Sequence, residues 1–232
     1  MKKISLLVLI LFLCSLTVST YAAGEYRDGV YVGYVDRTYP EYVGLGDCVI
    51  EVVIAQGKIA DVDIINPFKL NYHSYKPGKD AFFEFPHMIL ESQSTDVEII
   101  SGATRSSKDY IKAIDMALSI ADGSYQGNKY YGVSRDYENG HVLTEITVED
   151  NKITAARIIP AFDMFLSKSD GRESIMPAKE EGTDSEAVFN YYINFGDLVV
   201  QNQGKVDIVS GAESCGYSYN AALEMALKQA GL

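Results

Sequence analysis

The sequence predicts an α+β protein built from two copies of one small module, each an antiparallel sheet packed with helices. Three landmarks recur in the same order, at a spacing of about a hundred residues. The first is Tyr31-Val32-Gly33, matched by Tyr130-Tyr131-Gly132. The second is a hairpin-like segment, Cys48–Ile65 (CVIEVVIAQGKIADVDII), matched by His141–Ile159 (HVLTEITVEDNKITAARII). The third is Ser101-Gly102-Ala103-Thr104, matched by Ser210-Gly211-Ala212-Glu213.

Each element follows from local pattern. The hairpins alternate β-branched and polar residues on either side of a polar turn, Gln56-Gly57 or Asp150-Asn151. After the third landmark, Tyr110, Ile111, Ile114, Ala117, Leu118 and Ala121 fall on one helical stripe, and Tyr219–Ala230 repeats the character. Ser106 with Asp109 three residues on predicts a helix-starting cap. Gly123 is placed to close the helix in a left-handed conformation. A further helix is expected before each loop, Ala81–Ser92 and Glu186–Gln201, with Pro86 a kink or restart in the first. Punctuation by Asp122-Gly123-Ser124 and Gly127 sets the boundary between copies. The expected organisation is a leader over 1–22, a first domain over 23–124 and a second over 125–232. The second copy alone carries a polar excursion, Ala161 to Asp184.

The N-terminus predicts export. Met1-Lys2-Lys3 is basic, Leu6–Leu13 is apolar, and Thr20-Tyr21-Ala22 offers small residues three and one positions before a cut. A retained anchor is the alternative, against which the run is short for a span of about 20 residues. Cys14, preceded by Leu13, raises lipidation as a further alternative. The expected location is extracellular, periplasmic or cell-surface. The net charge of −12 repels phosphate backbones and argues against a nucleic-acid partner. Cys48 and Cys215 remain after cleavage, as a disulfide or as two buried thiols. His73, His87 and His141 are scattered without metal-ligand spacing.

The third landmark carries the chemistry. In Glu98–Ser107 (EIISGATRSS), an extended apolar pair leads into three small residues, then hydroxyls at Thr104, Ser106 and Ser107 where a helix starts. Backbone N–H groups at a helix N-terminus favour a phosphate, and Arg105 adds a positive charge. The same residues also make ordinary turns and caps.

The run resembles the flavinylation motif of the FMN-binding domain family, whose members include extracellular flavoproteins and subunits of membrane redox complexes. The strands, the turn ending in Gly57-Lys58-Ile59 and the flanking helices are similar to the family's order over nearly all of the mature chain. The resemblance implies two tandem FMN-binding-type domains. It implies FMN joined covalently to Thr104 through a phosphoester made by a flavin transferase, with Ser101, Gly102, Ala103, Arg105, Ser106 and Ser107 completing the loop. Glu98 stands where aspartate is more usual. In the second copy Glu213 replaces the threonine, and a carboxylate cannot form the same ester. The implied function is an electron carrier between a membrane redox donor and an external acceptor or reductase. The alternative is a flavin-free surface or binding module that keeps the fold. The abundance of tyrosine, 17 with no tryptophan, fits either; Tyr72 and His73 are candidate neighbours of the ring.

Overall fold

A computed structural model describes residues 26–36, 47–65, 76–136, 140–159 and 184–232. The leader with Cys14, the candidates Tyr72 and His73, and nearly all of the excursion at 161–184 lie outside the described residues. In the first half, strands β1 (Gly29–Val35), β2 (Cys48–Ala55) and β3 (Lys58–Ile65) precede helices α1 (Lys76–Ser92) and α2 (Thr104–Asp122). The second half runs β4 (Lys129–Asp136), β5 (Gly140–Glu149), β6 (Lys152–Ile159), α3 (Asp184–Asn202) and α4 (Glu213–Ala230). Each half thus holds one three-stranded antiparallel sheet, ordered β1-β2-β3 and β4-β5-β6.

The two tight turns share one backbone solution. Gln56 and Gly57 sit at φ 55° and 72°, Asp150 and Asn151 at 50° and 58°. Two successive left-handed residues match the right-handed twist of the paired strands, which is why amide, carboxylate and glycine residues occupy these turns. Both hairpins carry an irregularity at the same distance from the turn, at Val53/Ile54 and Thr147/Val148.

Alternation along β2 divides its side chains between two cores. Ile50, Val52 and Ile54 join Phe85, Ile89, Tyr110, Ile114 and Leu118 beneath the helices of the first half. Val49 faces the other way, into a cluster with Val32, Ile65, Tyr131, Val133, Leu143 and Ile159 drawn from both sheets. The second half has its own helix-covered core around Phe195, Tyr219 and Leu223. Each sheet is therefore buried on one face by its helices and packs its other face, in part, against the other sheet.

The recurring glycine of the first landmark has a packing cause. A Cβ on Gly33 would lie 1.7 Å from the carbonyl oxygen of Ala113 in α2, and one on Gly132 would lie 1.9 Å from that of Ala222 in α4. Only glycine lets each helix backbone press onto its strand this closely.

Helix limits differ from expectation in a consistent direction. α1 begins at Lys76, ahead of Ala81, its first turn carrying Pro77 and the Lys76–Asp80 ion pair. It also runs through Pro86 without restarting. α4 begins at Glu213, ahead of Tyr219. The expected Ser106–Asp109 cap is corrected: α2 begins two residues before Ser106, its N-cap is Ala103, and no side chain caps it. Asp109 is buried within the helix. Gly123 closes α2 at φ 80°, as its position predicts.

Candidate functional site

The Ser-Gly-Ala-Thr loop joins the extended segment after α1 to the first turn of α2. Gly102 adopts φ 82°, a left-handed conformation that favours glycine and turns the chain into the helix. The amide of Ala103 donates to the carbonyl of Ile100 at 2.9 Å, and the amide of Ser107 donates to the carbonyl of Ala103 at 2.9 Å. The amide of Ile100 donates to Oγ of Ser107 at 3.3 Å. These bonds staple the loop at both ends.

The structure sorts the sequence-derived candidates by access. Glu98, Ser101, Gly102, Thr104 and Arg105 are exposed, and Ser106 is half-buried. Ala103 and Ser107 are buried. Ser107 therefore holds the loop from inside, and its place in the motif reflects that role. Ala103 is small because its side chain packs into the first core. Thr104, the first residue of α2, carries an exposed side chain at the helix end where the first amides lack intrahelical acceptors. A hydroxyl held there can be reached by a large enzyme, and a phosphate on it would meet the positive end of the helix dipole. The residues present thus fit an anionic group esterified at this position.

The corresponding loop of the second half keeps the backbone. Gly211 lies at φ 86°, and the amide of Ala212 donates to the carbonyl of Val209 at 3.1 Å. The N-caps agree closely, with Ala103 at φ −117° and ψ 30° and Ala212 at −127° and 25°. Glu213 is the first residue of α4, as Thr104 is of α2. Its carboxylate accepts a hydrogen bond from the amide of Gly211 at 2.9 Å. The chain's own anion occupies the loop, so this loop does not fit an added phosphate.

Sequence reasoning missed the residues that tie the loops to the sheets. Gln93, just after α1, sits at φ 54° and clasps Ile59 in β3, accepting from its amide and donating to its carbonyl, both at 2.9 Å. Gln203 does the same to Ile153 in β6 at 2.8 and 2.9 Å, at φ 53°. The signal was a glutamine ending each helix, eight residues before Ser101 and seven before Ser210, but a lone polar residue at a helix end has many readings. Cys48 and Cys215 are buried thiols in different cores, Cys48 in the first and Cys215 in the second. Among the described residues no group of three or more His, Cys, Asp or Glu could hold a metal, and no helix is long and apolar enough to cross a membrane.

Residues 44–119 match the FMN-binding domain family. The matched segment contains the first hairpin, α1, the Ser101–Thr104 loop and most of α2. No curated protein matches the chain. Among solved structures, a Clostridium perfringens protein studied by crystallography is similar at 20% identity over 43% of this chain and 91% of that one, with a TM-score of 0.35.

Proposed function

We propose that the chain is an exported flavoprotein electron carrier, with FMN attached to Thr104 through a phosphoester. The observation that carries this reading is the exposed Thr104 side chain on a stapled loop at a helix N-terminus, inside a segment that matches a flavin-binding family. Attachment forms one P–Oγ bond as one phosphoanhydride P–O bond of a flavin dinucleotide donor breaks; the hydroxyl proton leaves with the displaced nucleoside monophosphate, so the chain gains FMN less one water. When bound, the flavin supplies one- and two-electron chemistry. The chain's part is to hold the phosphate at the helix end and to present the ring outside the helix-covered core. A flavin transferase would make the bond. A membrane redox donor and an external acceptor or reductase would exchange electrons with the product.

The second half reads as a degenerate FMN-binding-type domain. Its element order, glycine geometry and N-cap dihedrals repeat those of the first half, and Glu213 replaces the acceptor. A flavin-free binding module remains the second reading, favoured by the Glu213–Gly211 bond, in which the chain's own carboxylate holds the loop amide. The deciding experiment is intact-mass spectrometry of the chain co-expressed with a flavin transferase and directed out of the cytoplasm. One added FMN less water is expected, and none in Thr104→Ala. Covalent flavin persisting in Thr104→Ala would overturn the site.

A further inference from the structure

Helix α2 carries its charges in the order that least suits a helix. Arg105, Lys108 and Lys112 are exposed in its N-terminal half, and the exposed acids Asp115 and Asp122 lie in its C-terminal half. Its first turn holds no acid and its last turn no base. The macrodipole favours the reverse, most strongly in the terminal turns. Its counterpart α4 has the favourable order, with Glu213 in the first turn and Lys228 in the last. Lys108 and Lys112 also stand four residues apart, so two like charges share one surface, which weakens a helix. Neither lysine forms an ion pair among the described residues. Asp115, three residues beyond Lys112, accepts instead from the hydroxyl of Thr95 at 2.6 Å. Folding gives no reason for this arrangement, and a local conflict of this kind marks a functional surface.

The three cations fall at i, i+3 and i+7, a single stripe about 10 Å long that begins beside Thr104. Dipole and side chains there make the potential positive on a chain whose net charge is −12. The other helices have no such stripe: α1 has Lys79 and Lys76, the latter tied to Asp80, α4 has Lys228, and α3 has neither lysine nor arginine. Counting from the first residue of the helix, α4 has Ser214, Tyr217 and Ala221 at the three positions. The stripe accompanies the half that has the threonine and is missing from the half that lacks it.

The group that needs positive potential at this place is the donor of the phosphoryl group. A flavin dinucleotide carries a diphosphate, which a chain of this net charge repels at long range. We propose that Arg105, Lys108 and Lys112 form a steering surface that draws the donor-loaded flavin transferase to Thr104. The cations act before the P–Oγ bond forms, by raising the rate of productive encounter, and take no part in the transfer. The proposal rests on attachment at Thr104 and adds the surface by which the partner approaches it.

The purified chain is incubated with a flavin transferase and flavin adenine dinucleotide, and the FMN increment is followed by intact mass at several ionic strengths. For the unaltered chain, kcat/KM should fall about tenfold from low to physiological salt. Lys108→Glu/Lys112→Glu should lower kcat/KM at low salt about tenfold, keep kcat within about twofold and flatten the salt dependence. Lys58→Glu/Lys152→Glu makes the same change in net charge at two exposed hairpin positions and should stay close to the unaltered chain. Lys108→Glu alone sets a carboxylate four residues before Lys112, so it should raise the melting temperature while slowing attachment. A lysine with a merely structural role would not move those two readouts in opposite directions. Absence of FMN on the unaltered chain overturns attachment at Thr104 and the surface with it. Attachment to Lys108→Glu/Lys112→Glu at the unaltered rate, equal slowing in the hairpin variant, or a rate indifferent to salt overturns the surface alone.

Discussion

At the residue scale, two glutamates in matching strand positions show how partners set the sign of an electrostatic effect. Glu51 lies on β2 and Glu145 on β5, each two residues after a buried apolar residue of the shared cluster. Glu145 accepts from Nε and Nη2 of Arg157, each at 3.0 Å, from the hydroxyl of Tyr131 at 2.9 Å and from Nζ of Lys129 at 3.1 Å. Burial pushes its carboxyl up, but the Arg157 and Tyr131 hydrogen bonds and the Arg157 charge outweigh it and hold it below the usual range. Glu51 is raised, first by burial and then by Asp63 and Asp61, with Arg135 opposing. The consequences run in opposite directions. A depressed carboxyl contributes stability that is present above its unfolded value of about 4.3 and lost as pH falls through the folded value. A raised carboxyl makes folding less favourable as pH rises through its folded value. The cost of Glu145→Gln should therefore stand at about 1–3 kcal/mol above the unfolded value and fall away as pH drops below about 4.3, while that of Glu51→Gln should shrink as pH rises above about 4.3. Urea denaturation between about pH 3 and 7 checks both.

Glu213 belongs to the same scale. Replacing it by threonine removes the carboxylate from the Gly211 amide and supplies a hydroxyl on a backbone that already matches that of Thr104. Glu213→Thr should therefore gain a second FMN when co-expressed with the transferase, read as a second mass increment. A single increment would mean that determinants outside the loop have also diverged.

At the element scale, helix-on-strand contact at glycine is the tightest constraint. Gly33→Ala and Gly132→Ala each drive a methyl group into a helix carbonyl, and Gly196→Ala would place one 2.2 Å from the carbonyl oxygen of Ala156. Because the obstacle is backbone, the helix must move, and each change should cost about 3 kcal/mol or more. Thermal melts should show the loss, whereas Gly204→Ala, whose Cβ would lie 4.0 Å from its nearest neighbour, should be mild. The strands were legible in the sequence because alternation and a two-residue turn are both local signals, and both hairpins lie where those signals put them. Helix starts were less legible. Side-chain caps are the usual cue, and α2 and α4 have none. Ser106 misled because a hydroxyl near a helix start looks like a cap wherever it sits in the first turn. The Thr104 loop was legible as a run of small residues; the internal role of Ser107 was not, since it depends on which way the helix turns.

At the scale of the whole molecule, the halves are joined by more than a linker. Arg135 of β4 reaches Glu51 at 3.0 Å and Asp63 at 2.6 Å in the first sheet. Tyr34 stacks on Tyr131 with ring centroids 4.4 Å apart, and its hydroxyl donates to Asp47 at 2.7 Å. None of this was legible beforehand, because contacts between faces of separate sheets leave no periodic trace in a sequence. The interface also places a buried amide, Gln229, between β1 and β4. It accepts from the amide of Val32 at 2.9 Å and donates to the carbonyl of Tyr131 at 2.5 Å. Gln229→Ala should leave both backbone groups unsatisfied and cost about 2–4 kcal/mol. Denaturation followed by tyrosine fluorescence should show that loss.

The position of Gln229 also sets an order of events. Val32 lies near the beginning of the fold and its partner lies 197 residues later, three residues before the last, Leu232. A chain that emerges from its N-terminus can pair β1 with β2 early, since those strands are close in sequence. It cannot satisfy the outward amide of Val32 until the last turn of α4 has appeared. While the intervening residues are being made, the first sheet therefore keeps that edge position open, and a residue of the second half is the one that fills it.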